Sequence, residues 1–323
     1  MEAEDAFVCP PPPGPPPLLS ENQLLHLARQ GWLTFDLPDD LTETVADLFT
    51  TSADFFSIPN EEKVASYPAK SGTEFGYYSV PEEKEYITFR CRVQTASSSP
   101  SQRNLLFQKL EDTAAKAWEQ SGTLLYRILC DLARWSDLDP SVWDAILDGT
   151  LSMPDSESQM TYTLLRLFKY LPTTGLAEKH TDLGLLTMCI GSRSGLEVVD
   201  QIESINKDPV WVCPSRDART ATILIGNTLR ALSDDIFKSG VHRVVGNSEG
   251  RDSVVFTLRH SSRHDVDFNL FGGEGRVSAS ELWKFLKVGK VNINMVKEMR
   301  EAQRAQLRQS IEKSNGEVSI GHG

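Results

Sequence analysis

The chain lacks several features that mark whole function classes. No stretch approaches the roughly 18 consecutive apolar residues of a membrane-spanning helix. Basic charge is in deficit: 33 Lys and Arg stand against 45 Asp and Glu, giving a net charge of −12 and a pI near 5.1. A surface of that sign repels phosphate backbones and anionic bilayers, so neither nucleic acid nor membrane is an expected partner. The five cysteines (Cys9, Cys91, Cys130, Cys189, Cys213) are scattered, and none forms a C-x-x-C pair. They read as reduced thiols, mostly packing residues. The start, "MEAEDAFVCPPPPGPPPLLS", has neither the basic residues nor the apolar core of a signal peptide, so a cytoplasmic location is expected. The H-E-x-x-H helix of zinc hydrolases is absent. Gly289-Lys290 has Lys284 where a phosphate-binding loop needs glycine, and "GSRSG" has Arg193 where a nucleophilic serine would stand.

What is present is an ordinary soluble composition over 323 residues, 40% hydrophobic and 24% charged. Residues 1–20 read as a disordered proline-rich leader. Residues 21–150 read as a helical region with strands. Ser20 caps a helix that Gly31 ends, "WLTFDL" alternates as a strand, a helix covers about 40–57, and a long helix covers 102–137 with Trp118, Leu125 and Ile128 inward. From 151 to 275 the chain changes to short apolar or alternating runs split by Gly, Pro, Asp and Asn, the pattern of a β-sandwich or jelly roll. Residues 276–323 are helical again, broken at Gly289. The four segments are expected to form one structural unit: mainly β, with a jelly-roll (double-stranded β-helix) core, flanking helices and a C-terminal helix.

In "EKHTDLGLL", His180 and Asp182 stand two apart, which on a strand aims both at one face. A metal is one reason for that pairing, and a hydrogen-bonded core histidine is another. Of the remaining histidines, His26, His264 and His322 fall in a helix, a polar loop and the C-terminus. His242 lies in the strand-like "KSGVHRVVGNS", 60 residues after Asp182. Two imidazoles and one carboxylate with open positions are the facial triad of non-haem iron(II). Nine residues on, "GRDSVVF" sets Arg251 and Ser253 on one strand face, a fork suited to a carboxylate.

These residues and their surroundings resemble the isopenicillin N synthase-like family of iron(II)/2-oxoglutarate-dependent dioxygenases, from about Asn22 to Ser261. "FFSIPNEEKVAS" is similar to its F-F-x-L-P-x-E-E-K segment, "LLRLFKYLP" to its R-x-N-Y-Y-P strand, and "HTDLGLLTMCI" to its H-T-D strand. "SGLEVVD", "PVWVCP", "HRVV" and "RDS" follow in the family's order. The resemblance implies His180, Asp182 and His242 as iron ligands, Arg251 and Ser253 on the distal carboxylate of 2-oxoglutarate, and Tyr170 beside the cosubstrate. Phe168 stands where the family has asparagine, and Gly226-Asn227 where it often has Gly-Asp. The implied reaction consumes O2 and 2-oxoglutarate, releases succinate and oxidises a C–H bond of a small metabolite, by hydroxylation, desaturation or rearrangement. Ascorbate serves as reductant in vitro, specialised-metabolite biosynthesis is the expected setting, and the protein is expected to be a monomer. An oxidase of the same fold that does not use 2-oxoglutarate, and an inactive binding member, are the alternatives.

Alternation along the strands gives an expected substrate pocket. Ser253 sends Val255, Thr257 and Arg259 to its own side, and the preceding strand does the same with Tyr162, Leu164, Arg166, Phe168 and Tyr170. Arg166, Phe168, Thr257 and Arg259 are thus the substrate candidates, with two arginines facing an acidic or oxygen-rich molecule. Arg166 equally reads as a structural buried arginine, and Arg259 as a residue leaving the strand end for solvent.

Overall fold

The computed structural model describes residues 14–70, 72–93, 102–214 and 219–320. Most of the expected leader lies outside the described residues. Its last part is docked, because the amides of Leu18 and Leu19 both donate to Asp131 Oδ2 at 2.8 Å. Helix α1 (Glu21–Gln30) starts at a capping box in which Ser20 and Gln23 satisfy each other's backbone amides. It stops at Gly31, whose φ of 75° and close approach to Lys238 and Ser239 leave no room for a Cβ. Strand β1 (Trp32–Asp36), helix α2 (Asp39–Ser57), helix α3 (Asn60–Ser66), β2 (Gly76–Val80) and β3 (Lys84–Phe89) precede the long helix α4 (Gln102–Trp135). Trp118, Leu125 and Ile128 of α4 are fully buried, as expected. A short α5 (Asp144–Leu147) ends this region.

Eight core strands follow: β4 (Leu164–Tyr170), β5 (Ala177–His180), β6 (Leu186–Gly191), β7 (Leu196–Asp200), β8 (Val210–Val212), β9 (Thr220–Ile225), β10 (His242–Val244) and β11 (Arg251–Leu258). Helix α6 (Asn227–Leu232) lies between β9 and β10. They divide between two antiparallel sheets, β9-β6-β11-β4 and β8-β7-β10-β5, with only the β7–β8 hairpin staying in one sheet, which is the expected jelly roll. The N-terminal strands widen the first sheet to seven, with β1 beside β9 and β3-β2 beside β4. Its outer face, including Leu165, Leu167, Val254, Phe256 and Leu258, packs on α2 and α4, where the Trp118 and Phe256 rings meet at 5.3 Å.

The C-terminal region departs from expectation. The interruption at Gly289 extends to residue 296, between α7 (Ala279–Lys287) and α8 (Lys297–Ile320). The physical reason is docking across the barrel mouth. Tyr86 Oη donates to Asn294 O at 3.2 Å, Lys84 Nζ donates to Ile293 O at 3.4 Å, and Ile293 and Val296 pack on Tyr86, Phe168 and Tyr170. Arg300, 2% exposed, grips both Glu83 and Glu178 and so anchors the start of α8 to β5.

Candidate active site

Strands β5 and β10 pair with His180 directly opposite His242, which brings the two rings to a centroid distance of 4.1 Å. Asp182 does not lie on the strand. Strand β5 ends at His180, and the sequence expectation of a shared strand face is corrected here. The carboxylate is returned to the imidazoles by a loop held from behind: Asn227 N donates to Asp182 O at 2.8 Å, and Thr228 Oγ1 to Leu183 O at 2.5 Å. The Asn227 side chain donates to Thr181 Oγ1 and accepts from Ser239 Oγ, which ties this loop to the segment leading into His242. The amide standing where the family resemblance gives aspartate therefore bridges the Asp182 loop and the approach to His242.

One donor atom from each of His180, Asp182 and His242 lies within 4.8 Å of the others. His180 Nε2 is 3.7 Å from Asp182 Oδ1, and His242 Nε2 is 3.9 Å from Oδ2. Both separations exceed a hydrogen bond. The Nδ1 atoms face backbone carbonyls, of Glu178 at 2.6 Å and Gly240 at 3.0 Å. That arrangement puts the proton on Nδ1 and aims both Nε2 lone pairs at the carboxylate. Asp182 Oδ2 is buried without a hydrogen-bond partner. Burial and the second imidazole hold His180 well below the usual histidine range. Burial pushes Asp182 up, but the two histidines outweigh it and the net shift is downward. Two imidazoles and one carboxylate, none bonded to another, fit a divalent iron. Side-chain exposures of 18% and 20% at His180 and Asp182, against 5% at His242, leave one side of the cluster open.

Across the interior, Arg251 and Ser253 share the inner face of β11, in register with Tyr170 and Phe168 of β4. The Arg251 guanidinium lies on Gly191, where a Cβ would sit 2.1 Å from Nη2, and Nε donates to Arg193 O at 3.0 Å. Ser253 Oγ is buried with no partner. An arginine fork and an unused hydroxyl side by side suit an incoming carboxylate. Burial raises the Tyr170 phenol far above its ordinary value, so it stays a neutral donor. A cavity of about 440 Å³ reaches Arg251 and is lined by Cys189, Gly191, Leu196 and Thr222, but no triad residue lines it. It is therefore not the space above the triad.

The expected substrate candidates part company. Arg166 and Phe168 face inward from β4, and Thr257 is buried with its Oγ1 3.4 Å from Thr187 Oγ1. Arg259 lies past the end of β11 and does not exit to solvent. It pairs with Glu74 at 2.6 Å and rests 4.8 Å over Trp283. Tyr162 precedes β4 and stacks on Trp283 instead of lining the interior. Sequence reasoning missed Glu74, Arg90 and Lys84. The alternation of "KEYITF", which places Lys84, Tyr86 and Thr88 on one face, was the available signal for the last of these. Lys84 donates to Leu176 O at 3.0 Å, and burial together with Arg300 and Arg166 pulls it down to about 7, against the opposing charge of Glu83.

Residues 161–260, which contain the triad and the Arg251–Ser253 pair, match the 2OG-Fe(II) oxygenase superfamily. The chain is 34% identical over 137 residues to oxidoreductase vrtI of Penicillium aethiopicum, covering 40% of this chain and 30% of that one. It is 33% identical over 134 residues to 2-oxoglutarate-dependent dioxygenase frbH of Dothideomycetidae sp. (strain 11243), covering 38% and 39%. With gibberellin 2-beta-dioxygenase 1 of Arabidopsis thaliana it shares 28% over 233 residues, 66% of each chain. The matched segments thus span well under half of the first two relatives. The fold is shared with a full-length Neurospora crassa protein whose crystal structure is a complex with alpha-KG, at a TM-score of 0.67, 18% identity and coverage of 83% and 90%. A 2OG-Fe(II) oxygenase family protein of Caulobacter crescentus gives 0.65, 18%, 81% and 91%. The triad and the carboxylate fork both lie inside the segment that is similar to the 2OG-Fe(II) oxygenase superfamily.

Proposed function

We propose that this protein is an iron(II)- and 2-oxoglutarate-dependent dioxygenase that oxidises a C–H bond of a small metabolite. The observation that carries the reading is the His180–Asp182–His242 cluster opening onto the same barrel interior as Arg251 and Ser253. His180, Asp182 and His242 would hold the iron. Their backbone-locked Nδ1 atoms fix both rings before a metal arrives, so little reorganisation accompanies binding. Bound there with 2-oxoglutarate, iron supplies O2 activation coupled to decarboxylation, which is chemistry no side chain can perform.

The chain's own residues bind, orient and exclude. Arg251 and Ser253 would take the distal carboxylate of 2-oxoglutarate, with Tyr170 donating beside them and Phe168 offering an apolar face where the family's asparagine would hydrogen-bond. Arg166, Phe168 and Thr257 would line the substrate space, and Arg259 would act on it through Glu74. Residues 290–296 close one side of the mouth, where Lys290 Nζ reaches Thr181 Oγ1 at 3.1 Å, and limit water there. The fungal relatives support a setting in specialised metabolism. A monomeric state and a cytoplasmic location are part of the same reading. The described cysteines, Cys91, Cys130, Cys189 and Cys213, are all free thiols, as suits a reducing compartment. No helix among the described residues is long and apolar enough to cross a membrane.

The test is succinate release from 2-oxoglutarate, dependent on added iron and ascorbate and stimulated by a metabolite extract. Oxygen uptake without succinate would favour an oxidase that does not use 2-oxoglutarate, and neither product would favour a binding protein.

A further inference from the structure

Resting on that function and deepening it, we propose that the substrate carries a single carboxylate, or an equally acidic oxyanion, on a flat unsaturated body. Arg166 receives the acid, and Tyr86 with Phe168 receives the body. Three cations, Arg90, Arg166 and Arg259, surround one carboxylate, Glu74, and they are not equivalent. Arg259 is committed: Nη1 donates to Glu74 Oε2 at 2.6 Å and to Tyr162 O at 3.2 Å. Arg90 spends its terminal nitrogens on the carbonyls of Thr73 and Thr161, and so holds the loop that carries Glu74. Arg166 uses only Nε, donating to Thr88 Oγ1 at 2.8 Å. Its terminal nitrogens have no hydrogen-bond acceptor among the described residues, and Nη2 stands 3.7 Å from Glu74 Oε1.

The Arg166 guanidinium, at 10% side-chain exposure, meets Glu74 only at 3.7 Å, and a carboxylate on a ligand would match its fork in shape and charge. Glu74 fills that fork only at a distance, because it hydrogen-bonds Arg259 at 2.6 Å and stands 3.7 Å from Arg166. Burial works against the Glu74 charge, yet Arg259 and Arg166 hold it down to about 2, so it stays ionised. Its backbone sits at φ 63°, a conformation that a non-glycine residue keeps only when its surroundings impose it. The walls are aromatic. Tyr78 and Tyr86 stack at 5.0 Å and 12°, Tyr86 and Phe168 lie 5.3 Å apart, and the Arg166 guanidinium is 5.2 Å from the Tyr86 centroid. A group attached to an acid on Arg166 meets ring faces, which favour flat partners.

Glu74 then sets the charge limit. A second acid on the substrate would approach Glu74 Oε1, so a monoacid is accepted and a diacid repelled. The same repulsion keeps 2-oxoglutarate, itself a diacid, at Arg251 and out of the substrate space.

The experiment uses the iron- and 2-oxoglutarate-loaded protein under anaerobic conditions, followed by calorimetry. The 2-oxoglutarate titration is run first; absence of uptake there overturns the proposed function, not this inference. The loaded protein is next titrated with benzoate against benzamide, cinnamate against cinnamamide, and terephthalate. The acids should bind at least about ten-fold more tightly than their amides, as a charge-assisted pair implies, and terephthalate no more tightly than benzoate. Arg166→Gln should erase the acid preference, and Glu74→Gln should admit terephthalate. Equal binding of acid and amide by the wild-type protein, or no acid binding at millimolar concentration, overturns the inference. That comparison needs no variant, so a misfolded substitution cannot rescue it.

Discussion

The two faces of the seven-stranded sheet are made by the same strands and follow opposite rules. On β4 and β11 the outer face is Leu165, Leu167, Val254, Phe256 and Leu258, all buried against α2 and α4 with no polar atom to satisfy. One residue away in each case, the inner face carries Arg166, Phe168, Tyr170, Arg251, Ser253 and Thr257. The outer face contributes stability through apolar area removed from water. The interior that the inner face lines holds groups that the protein leaves incomplete, among them Ser253 Oγ and Asp182 Oδ2. Period-two alternation lets one stretch of seven or eight residues do both, because what a ligand needs and what the core needs never compete for one side chain.

Breaking the inner face at its centre gives the largest effect. His180→Ala, Asp182→Ala or His242→Ala should abolish iron retention and turnover, measured by metal analysis and succinate release, while the melting temperature without metal stays close to wild type. Unchanged turnover in any of the three removes that residue from the triad. Breaking the outer face should do the reverse. Phe256→Ala should cost about 3–5 kcal/mol of stability by opening a cavity against Trp118. Urea denaturation measures it, and iron uptake by the remaining folded protein should persist.

Arg251→Ala is smaller in scope and sharper in meaning. Removing one partner of a buried charge-assisted pair costs about 2–5 kcal/mol, so 2-oxoglutarate affinity should fall steeply while iron binding is kept. A titration with wild-type affinity would move the carboxylate elsewhere. The smallest expected effect comes from an exception in the outer layer. Glu111 of α4 is buried and pushed up to about 7 by desolvation, although it accepts from Tyr67 Oη at 3.1 Å and from Val93 N. Folding therefore favours its protonated form. Its stabilising contribution is complete below the ordinary value of 4.5 and is lost as pH rises to about 7. Glu111→Gln should flatten that part of the stability curve, read as melting temperature between pH 5 and 8, and a slope that survives would place its origin elsewhere.

Much of the inner face was legible because strand alternation is local. Arg251 with Ser253, and Arg166 with Phe168 and Tyr170, fall on one side simply by counting. Counting failed where strands ended. Asp182 lies past β5, so its orientation comes from Asn227 and Thr228, 45 and 46 residues later. Arg259 lies past β11 and follows Glu74 instead of the pleat. Lys84 and Glu74 belong to the N-terminal region, and nothing local says that β3 joins β4 or that residue 74 closes over the barrel.

The sequence by itself determined the strand faces, the helix cap at Ser20, and the candidate donors: two histidines, a carboxylate and an arginine–serine fork. These are properties of near neighbours and of side-chain chemistry. Only the tertiary structure decided the distances and the partners. Pairing of β5 with β10 set His180 against His242, the β9–β10 segment returned Asp182 to them, and Glu74 took Arg259 at 2.6 Å and Arg166 only at 3.7 Å. Contacts between residues separated by tens to hundreds of positions depend on how the sheets close, and a chain read in order does not contain that information.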